Sequence, residues 1–363
     1  VRRLVSGVID AAPGMTVVGL AHHGADALEK IAELGPDLLT LDIEMPVMDG
    51  LTAMREIHRR FPRLPVIMLS TLTLQGASIT LDALSAGARD YVTKPTNSAS
   101  LANSLDELRD QLLPRIRALT ARRIPVPAAR RPADAREAPA APATRPSRGA
   151  AAPARQRRRA SARQTQVIAI GSSTGGPDAL AKVLGSLTEA PSVPLVAVQH
   201  MPPVFTAMLA QRLSRLGPVE VVEAEAGQTL EPGVMYLAPG GRHLEVVRRG
   251  TGVVTVLHDQ DPVNYSRPSV DVLFRSVAAA YPGSAIGVIL TGMGHDGRAG
   301  CEQLGAEGSL IVAQDQESSV VWGMPGAVTE AGLADEVLTL ERVGPFLMEQ
   351  LRGAAAARRS TAG

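Results

Sequence analysis

Residues 167–177 read VIAIGSSTGGP, a short apolar run followed by a turn that is rich in glycine. Four consecutive apolar residues are typical of a strand that is buried on both faces of a parallel sheet. The glycines permit a tight turn, and Pro177 suits the first turn of a helix. The stretch therefore predicts a strand–turn–helix unit of an α/β fold.

Further apolar runs occur on the C-terminal side, at residues 195–198 (LVAV) and 286–290 (IGVIL), with helical patterns between them. Such alternation predicts a doubly wound parallel sheet that is covered by helices. We place this α/β domain at residues 165–352 and a short tail at residues 353–363.

The N-terminal part of the chain has a similar pattern. Short strands are predicted at residues 16–19, 37–41, 66–69 and 90–93, again with helices between them. This pattern predicts a second, smaller parallel α/β domain over residues 1–112.

Residues 113–164 differ in composition from both halves. From Pro114 to Arg163 the chain contains 14 arginines and two acidic residues, with many alanines and prolines and no apolar periodicity. Such a segment cannot bury enough apolar surface to offset its ordering entropy, so we predict a flexible basic linker. It is either a solvated spacer or a tether to nucleic acid or anionic lipid; no interleaved aromatic residues support nucleic acid.

The whole chain carries a formal net charge of +1, which indicates no strong general attraction to nucleic acid or membranes. Cys301 is the only cysteine, which excludes an intramolecular disulfide and a cysteine-based metal cluster. No membrane-spanning run and no secretory signal are visible, so we predict a cytoplasmic protein without membrane insertion.

Two chemistries use a glycine-rich turn between a strand and a helix. One is a phosphate cradle, in which backbone amides at the helix N-terminus hold an anion. The other is a nucleophile elbow of the pattern G-x-S-x-G, with Ser173 at its centre. The turn alone does not decide between them, and a glycine-rich turn without any chemical role is a third interpretation.

Two more chemically useful residues follow predicted strands. His200 comes after residues 195–198, and Asp296 comes after residues 286–290. Because ligands bind beyond the carboxyl ends of parallel strands, Ser173, His200 and Asp296 are expected to meet in one crevice. A nucleophile, a base and a carboxylate that orients the base are what acyl transfer requires.

Two other histidines compete for the role of base. His295 adjoins Asp296, but neighbours in a tight turn rarely face each other, and His243 follows a turn that could line the cleft. We prefer His200 because it directly ends a buried strand. Backbone amides at Met293 and at Thr174 are candidates for an oxyanion hole.

The C-terminal half resembles the chemotaxis protein-glutamate methylesterases, which are bacterial response regulators. The segments that carry this resemblance are residues 168–176 (IAIGSSTGG), 199–203 (QHMPP), 236–240 (YLAPG), 267–274 (RPSVDVLF) and 290–297 (LTGMGHDG). The resemblance implies that Ser173 is the nucleophile, His200 the base, Asp296 the orienting acid and Met293 a backbone donor to the oxyanion. It also implies hydrolysis of glutamate γ-methyl esters on chemoreceptor helices, with release of methanol, and deamidation of receptor glutamines. No cofactor is expected for hydrolysis.

The N-terminal half resembles a receiver domain of the flavodoxin-like type, through residues 41–50 (LDIEMPVMDG). By this resemblance Asp42 is the phosphorylation site, and a histidine kinase is the phosphoryl donor. Ser70 and Tyr91 match the switch residues, and Lys94 matches the lysine that pairs with the phosphoryl group.

The match fails at the start of the chain. A receiver opens with a central strand carrying two acidic residues that hold Mg²⁺, whereas this sequence begins at Val1, already inside the first helix. Asp10 lies on that helix and cannot replace the pair. We therefore expect that the sequence is truncated at its N-terminus. Mg²⁺ binding, which receiver phosphorylation requires, is expected only if a longer chain supplies the missing acidic pair.

The leading functional hypothesis is an esterase that is controlled by phosphorylation of its receiver. One alternative is an adaptor without hydrolase activity, in which the turn at Ser173 binds a phosphate-bearing ligand. Another is the same hydrolase acting on a protein outside chemotaxis.

Overall fold

The computed structural model describes residues 1–95, 101–121 and 164–361, which form two α/β units. All strand pairings in the two main sheets are parallel, and helices connect most of the consecutive strands. The predicted fold class, two parallel α/β domains of which the second is doubly wound, is therefore confirmed. Residues 122–163, most of the predicted linker, lie outside the described residues.

The first unit contains a three-stranded sheet in the order β1-β2-β3. Its elements are α1 (Arg2–Asp10), α2 (Gly24–Leu34), β1 (Leu39–Asp42), α3 (Gly50–Arg60), β2 (Val66–Ser70), α4 (Leu74–Ser85), β3 (Asp90–Thr93) and α5 (Leu101–Thr120). The central strand β2 is buried along its whole length, since helices cover both faces of the sheet. Its register pairs Leu39 with Val66 and Ile67 with Asp90.

The prediction of a strand at residues 16–19 is wrong, because this segment belongs to no strand. A strand needs a neighbour that takes its backbone hydrogen bonds, and the described sheet offers none at this position. Side chains satisfy part of the backbone instead. The amide of Val17 donates to Asp10 Oδ1 at 2.8 Å, and Lys30 Nζ donates to the Leu20 carbonyl at 2.5 Å.

Helix α5 continues past residue 112, where the sequence predicts the start of the linker. Leu113, Ile116 and Leu119 are buried in the core that also contains Leu112 and Val92. Their spacing of three residues keeps them on one face of the helix, so packing extends the helix through Thr120.

The second unit is a seven-stranded sheet in the order β12-β11-β10-β4-β5-β7-β6, with a separate antiparallel hairpin β8-β9. Its elements are β4 (Val167–Ser172), α6 (Gly176–Gly185), β5 (Leu195–Gln199), α7 (Phe205–Leu213), β6 (Glu220–Glu223), β7 (Val234–Leu237), β8 (His243–Arg249), β9 (Gly252–His258), α8 (Val270–Ala280), β10 (Ala285–Ile289), α9 (Arg298–Ala306), β11 (Leu310–Gln314), α10 (Met324–Glu330), β12 (Glu336–Leu338) and α11 (Leu340–Thr361). Helix α11 includes most of the predicted tail from residue 353.

Strand β4 lies at the middle of this sheet, between β10 and β5. The chain proceeds from β4 to β5 on one side and reaches β10 on the other, so a crevice opens at the carboxyl ends of these strands. Gly171 pairs with Ile289, and Ser172 pairs with Gln199, which brings the three strand ends to the same level. Among the described helices, none has the length and apolar character that crossing a bilayer requires.

Candidate active site

Ser173 is held at the end of β4 by contacts to its neighbouring strands. Its amide donates to the Thr291 carbonyl at 3.0 Å, beyond the end of β10. Gly175 then adopts a left-handed conformation with φ of 78°, which favours glycine, and α6 begins at the next residue. The geometry is that of a strand-to-helix elbow with the serine at the turn.

Gln199 connects the residues of the predicted nucleophile and base, and sequence reasoning missed it. Its Nε2 atom donates to the Ser173 carbonyl at 2.9 Å and to the His200 carbonyl at 3.3 Å. Its Oε1 atom accepts a hydrogen bond from Ser172 Oγ at 2.8 Å. The sequence contained one signal for Gln199: it is the polar residue that ends an otherwise apolar strand, and the structure shows it buried.

His200 and Asp296 meet directly. His200 Nε2 lies 2.8 Å from Asp296 Oδ2, and the Asp296 side chain is almost fully buried. Burial by itself would raise the pKa of Asp296. The hydrogen bond and charge of His200, together with hydrogen bonds from Asn264 and the Val270 amide, outweigh burial and lower that pKa to about 2. Asp296 is therefore ionised at neutral pH.

Four further donors hold the Asp296 carboxylate. Asn264 Nδ2 and Ser269 Oγ donate to Oδ1 at 2.9 and 2.8 Å. The amides of Val270 and Asp271 donate at 2.7 and 3.2 Å, and both belong to the first turn of α8. An ionised carboxylate at a helix N-terminus is favoured by the unpaired amides there. None of these donors was assigned a role from the sequence, although residues 267–274 carry part of the resemblance.

The ionised carboxylate decides which nitrogen of His200 can act as a base. Because an ionised carboxylate only accepts hydrogen bonds, Nε2 is the donor to Asp296, which leaves Nδ1 as the nitrogen that can accept a proton. Ser266 Oγ lies 3.5 Å from Nδ1. Ser173 and His200 line the same pocket, and within the described residues no hydrogen bond joins their side chains. Such bonds are often long without substrate and tighten when substrate binds.

The two oxyanion candidates offer free amides rather than side chains. The backbone N–H groups of Thr174 and Met293 donate no hydrogen bond to the described part of the chain. The Thr174 hydroxyl points elsewhere and donates to Asp90 Oδ2 at 2.6 Å. The Met293 side chain is partly buried against the apolar cluster around Val321. An oxyanion role for these amides remains a prediction.

The two competing histidines have other surroundings. His243 is fully buried; its Nδ1 atom accepts from the Ser269 amide at 3.2 Å, and its Nε2 atom lies 3.1 Å from the Asp261 carbonyl. Burial lowers the pKa of His243, which keeps it neutral. His295 is exposed in the loop before α9.

Receiver residues close one side of the Ser173 pocket. Its lining includes Asp90, Tyr91 and Arg115 from the first unit. The Tyr91 ring stacks on Phe205 of α7, with ring centroids 4.8 Å apart and an interplanar angle of 6°. Asp90 accepts from Arg115 Nε at 3.1 Å and from the hydroxyl of Thr174, the residue after the predicted nucleophile.

The phosphorylation candidates lie at the carboxyl ends of the receiver strands. Lys94 Nζ lies 2.7 Å from Asp42 Oδ1 and 3.8 Å from Glu44 Oε2. Ser70 is buried and faces α4, where it accepts a hydrogen bond from Thr80 at 2.6 Å. In this arrangement the Lys94 side chain forms an ion pair with the Asp42 carboxylate.

The residues near Asp42 do not fit a Mg²⁺ site. Over the described ranges, no cluster of three or more acidic, histidine or cysteine side chains could hold a metal ion. Mg²⁺ requires several oxygen ligands in a near-octahedral arrangement, and here the nearest charged partner of Asp42 is a lysine. No step through Mg²⁺ is therefore assigned to these residues.

Known proteins resemble the chain over both units. Residues 168–347 match the family described as CheB methylesterase, and residues 1–106 match the response regulator receiver domain. A protein-glutamate methylesterase/protein-glutamine glutaminase of a Nocardioides species is 47% identical over 351 residues, covering 97% of this chain and 92% of the relative. The protein of the same name from Trichodesmium erythraeum is 40% identical over 354 residues, covering 97% and 96%. The crystal structure of the Thermotoga maritima CheB methylesterase catalytic domain is 41% identical with a TM-score of 0.50, covering 51% of this chain and 98% of that domain.

Proposed function

Since this chain belongs to the CheB family of protein-glutamate methylesterases/protein-glutamine glutaminases, we propose that it hydrolyses glutamate γ-methyl esters on chemoreceptors and deamidates receptor glutamines. The observation that carries the catalytic part is the contact of His200 with the buried Asp296, together with the pocket that His200 and Ser173 both line. The family membership is what supports the choice of substrate.

The reaction proceeds through an acyl-enzyme. His200 Nδ1 takes the proton of Ser173 Oγ as this oxygen attacks the ester carbonyl, and Asp296 stabilises the imidazolium. The Thr174 and Met293 amides donate to the oxyanion. The tetrahedral intermediate collapses, the carbon–oxygen bond to the methoxy group breaks, and His200 returns the proton so that methanol leaves. A water molecule then attacks the acyl-enzyme by the same route and releases the glutamate carboxyl group and free Ser173.

Glutamine deamidation uses the same groups, because a side-chain amide has the same glutamyl carbonyl. The leaving group is then ammonia, which departs only after His200 protonates the nitrogen. One serine and one oxyanion site therefore serve both substrates.

The test is methanol release from a purified methylated receptor fragment. The wild-type chain should release methanol, and Ser173→Ala should lose at least about 10³-fold in kcat because the covalent route is removed. A Ser173→Ala variant with normal activity would refute the assignment. Covalent labelling of Ser173 by a serine-directed acylating reagent separates the hydrolase from a phosphate-binding adaptor, which predicts no labelling.

Regulation by the receiver follows from its position over the pocket. With Asp90, Tyr91 and Arg115 in the pocket wall, a polypeptide substrate has less room to reach Ser173. Phosphorylation of Asp42 by a histidine kinase would draw Lys94 onto the phosphoryl group and shift the population towards an undocked receiver. The partners proposed are receptor helices and a histidine kinase in the cytoplasm.

The regulatory part is tested separately. Methanol release is measured with and without a small-molecule phosphoryl donor, on the wild-type chain and on Asp42→Asn. Stimulation of the wild type alone supports the proposal. Equal stimulation of both would place the control outside Asp42.

A further inference from the structure

The connection between β9 and α8 contains a tight turn beside the catalytic pair. Val263 and Ser266 exchange backbone hydrogen bonds of 3.1 and 3.0 Å, and the residues between them, Asn264 and Tyr265, have φ angles of 51° and 61°. Two consecutive positive φ angles inside a two-residue connection define a type I′ turn, for which Asn-Gly is the preferred pair.

Tyr265 is the unfavourable residue in this turn. Asparagine tolerates the left-handed conformation of the first position, but a bulky side chain is strained at the second, where glycine is favoured. The Tyr265 side chain is 100% exposed and therefore adds nothing to a core. Neither backbone preference nor packing explains a tyrosine at this position, and retained strain of this kind is concentrated at functional sites.

Both neighbours of Tyr265 connect the turn to the catalytic residues. Asn264 Nδ2 donates to Asp296 Oδ1 at 2.9 Å and to Asp271 Oδ2 at 2.8 Å. Ser266 Oγ lies 3.5 Å from His200 Nδ1. The backbone of Tyr265 is consequently held beside the catalytic pair by its two neighbours, with its side chain exposed to solvent.

We propose that Tyr265 binds the polypeptide that carries the ester, with its ring packed against residues that flank the modified glutamyl side chain. The inference rests on the proposed function and adds a residue that selects a macromolecular substrate over a small ester. When the glutamyl carbonyl reaches Ser173, the rest of the polypeptide stays outside the pocket, at its rim. Aromatic residues with a polar tip supply much of the contact energy at such surfaces.

The receiver does not cover the surface around Tyr265. Its residues line the pocket on the side of Thr174, whereas Tyr265 is fully exposed with the receiver in place. Tyr265 therefore contributes to KM whether or not the receiver is phosphorylated.

The test compares Tyr265→Asn with the wild-type full-length chain on two substrates. Asparagine keeps the turn, since it tolerates positive φ, but removes the ring. With a methylated receptor fragment we expect KM to rise about tenfold with kcat unchanged. With N-acetyl-glutamate γ-methyl ester methylamide we expect kcat/KM to stay within about twofold. Tyr265→Phe keeps the ring and should behave as the wild type on both.

The matched control is Val47→Asn. Like Tyr265, Val47 is exposed (86%) and has a positive φ, of 65°, but it lies in the receiver. It should change neither substrate's kinetics, and both asparagine variants should unfold at or above the wild-type temperature.

An unchanged KM for the receptor fragment in Tyr265→Asn overturns the inference while the proposed function stands. Equal losses of kcat/KM on both substrates in Tyr265→Asn overturn it too, since the turn would then act through Asp296. A Tyr265→Phe variant with a KM as high as that of Tyr265→Asn refutes packing by the ring. A wild-type chain that releases methanol from neither substrate refutes the proposed function and, with it, the inference.

Discussion

The Nε2 atom of His200 lies 2.8 Å from the Oδ2 atom of Asp296, so the carboxylate engages Nε2 and leaves Nδ1 to accept the serine proton. This geometry makes the tautomer of His200 depend on the charge of Asp296. This dependence can be tested by replacing Asp296 and measuring both the kinetics and the stability of the variant.

Asp296→Asn should lower kcat by about 10³- to 10⁴-fold with little change in KM, because an amide can hold the imidazole in the wrong tautomer. Methanol release from the methylated receptor fragment measures both constants. Asn264→Ala, which removes one donor to the same carboxylate, should have a smaller effect on kcat. An Asp296→Asn variant within tenfold of the wild type would exclude Asp296 as the orienting acid.

The low pKa of Asp296 also predicts how stability depends on pH. The folded-state pKa is about 2, below the ordinary value of 3.8. The carboxylate therefore stabilises the fold fully above about pH 4 and loses that contribution as the pH falls through 2. The difference in unfolding free energy between the wild type and Asp296→Asn should shrink by about 1.5 kcal/mol from pH 5 to pH 2.5.

Fluorescence of Trp322 measures this difference during urea unfolding. Trp322 is the only tryptophan in the chain, and it lies in the second unit, so its signal reports that unit. A difference that is constant between the two pH values would show that Asp296 has an unshifted pKa.

Asp90→Ala should raise the activity of the unphosphorylated chain. Asp90 is buried and accepts from Thr174 at 2.6 Å and from Arg115 at 3.1 Å. Charge-assisted hydrogen bonds of this kind contribute about 1.5–3 kcal/mol, so basal methanol release should rise about tenfold as the docked receiver is destabilised.

The comparison variant for Asp90 is Arg212→Ala, which breaks the more exposed ion pair with Asp82 between the same two units. Exposed ion pairs contribute at most about 1 kcal/mol, so basal activity should rise less than about fivefold. If Arg212→Ala activates more than Asp90→Ala, the contact at Thr174 is not the principal docking interaction.

Gly292→Ala should displace the nucleophile. A methyl group at this position would overlap the Met324 sulfur and would lie 2.9 Å from Ser173 Cβ and 3.1 Å from the Ser173 nitrogen, closer than ordinary packing permits. We expect kcat to fall about 10- to 100-fold, since small displacements of a nucleophile are costly. Gly185→Ala is the control, because its nearest neighbour would be 3.8 Å away; it should leave kcat unchanged. Normal kcat in Gly292→Ala would show that Ser173 does not need its present position.

Local sequence was sufficient for the strand–turn–helix units. The apolar run before Ser173 and the glycines after it describe a buried strand and a positive-φ turn, and both depend only on neighbouring residues. The same holds for the placement of His200 and Asp296 after apolar strands. The strand at residues 16–19 could not be judged in this way, because a strand depends on a partner elsewhere in the chain.

Only the tertiary structure decided which polar groups surround those three residues. Asn264 meets Asp296 across 32 positions, and Thr174 meets Asp90 across 84 positions and between two units. Hydrogen bonds of this kind are set by how elements pack, and periodicity within one element carries no information about them. The sequence by itself therefore determined the elements and their reactive residues, while packing decided which nitrogen of His200 serves as base and which receiver residues close the pocket.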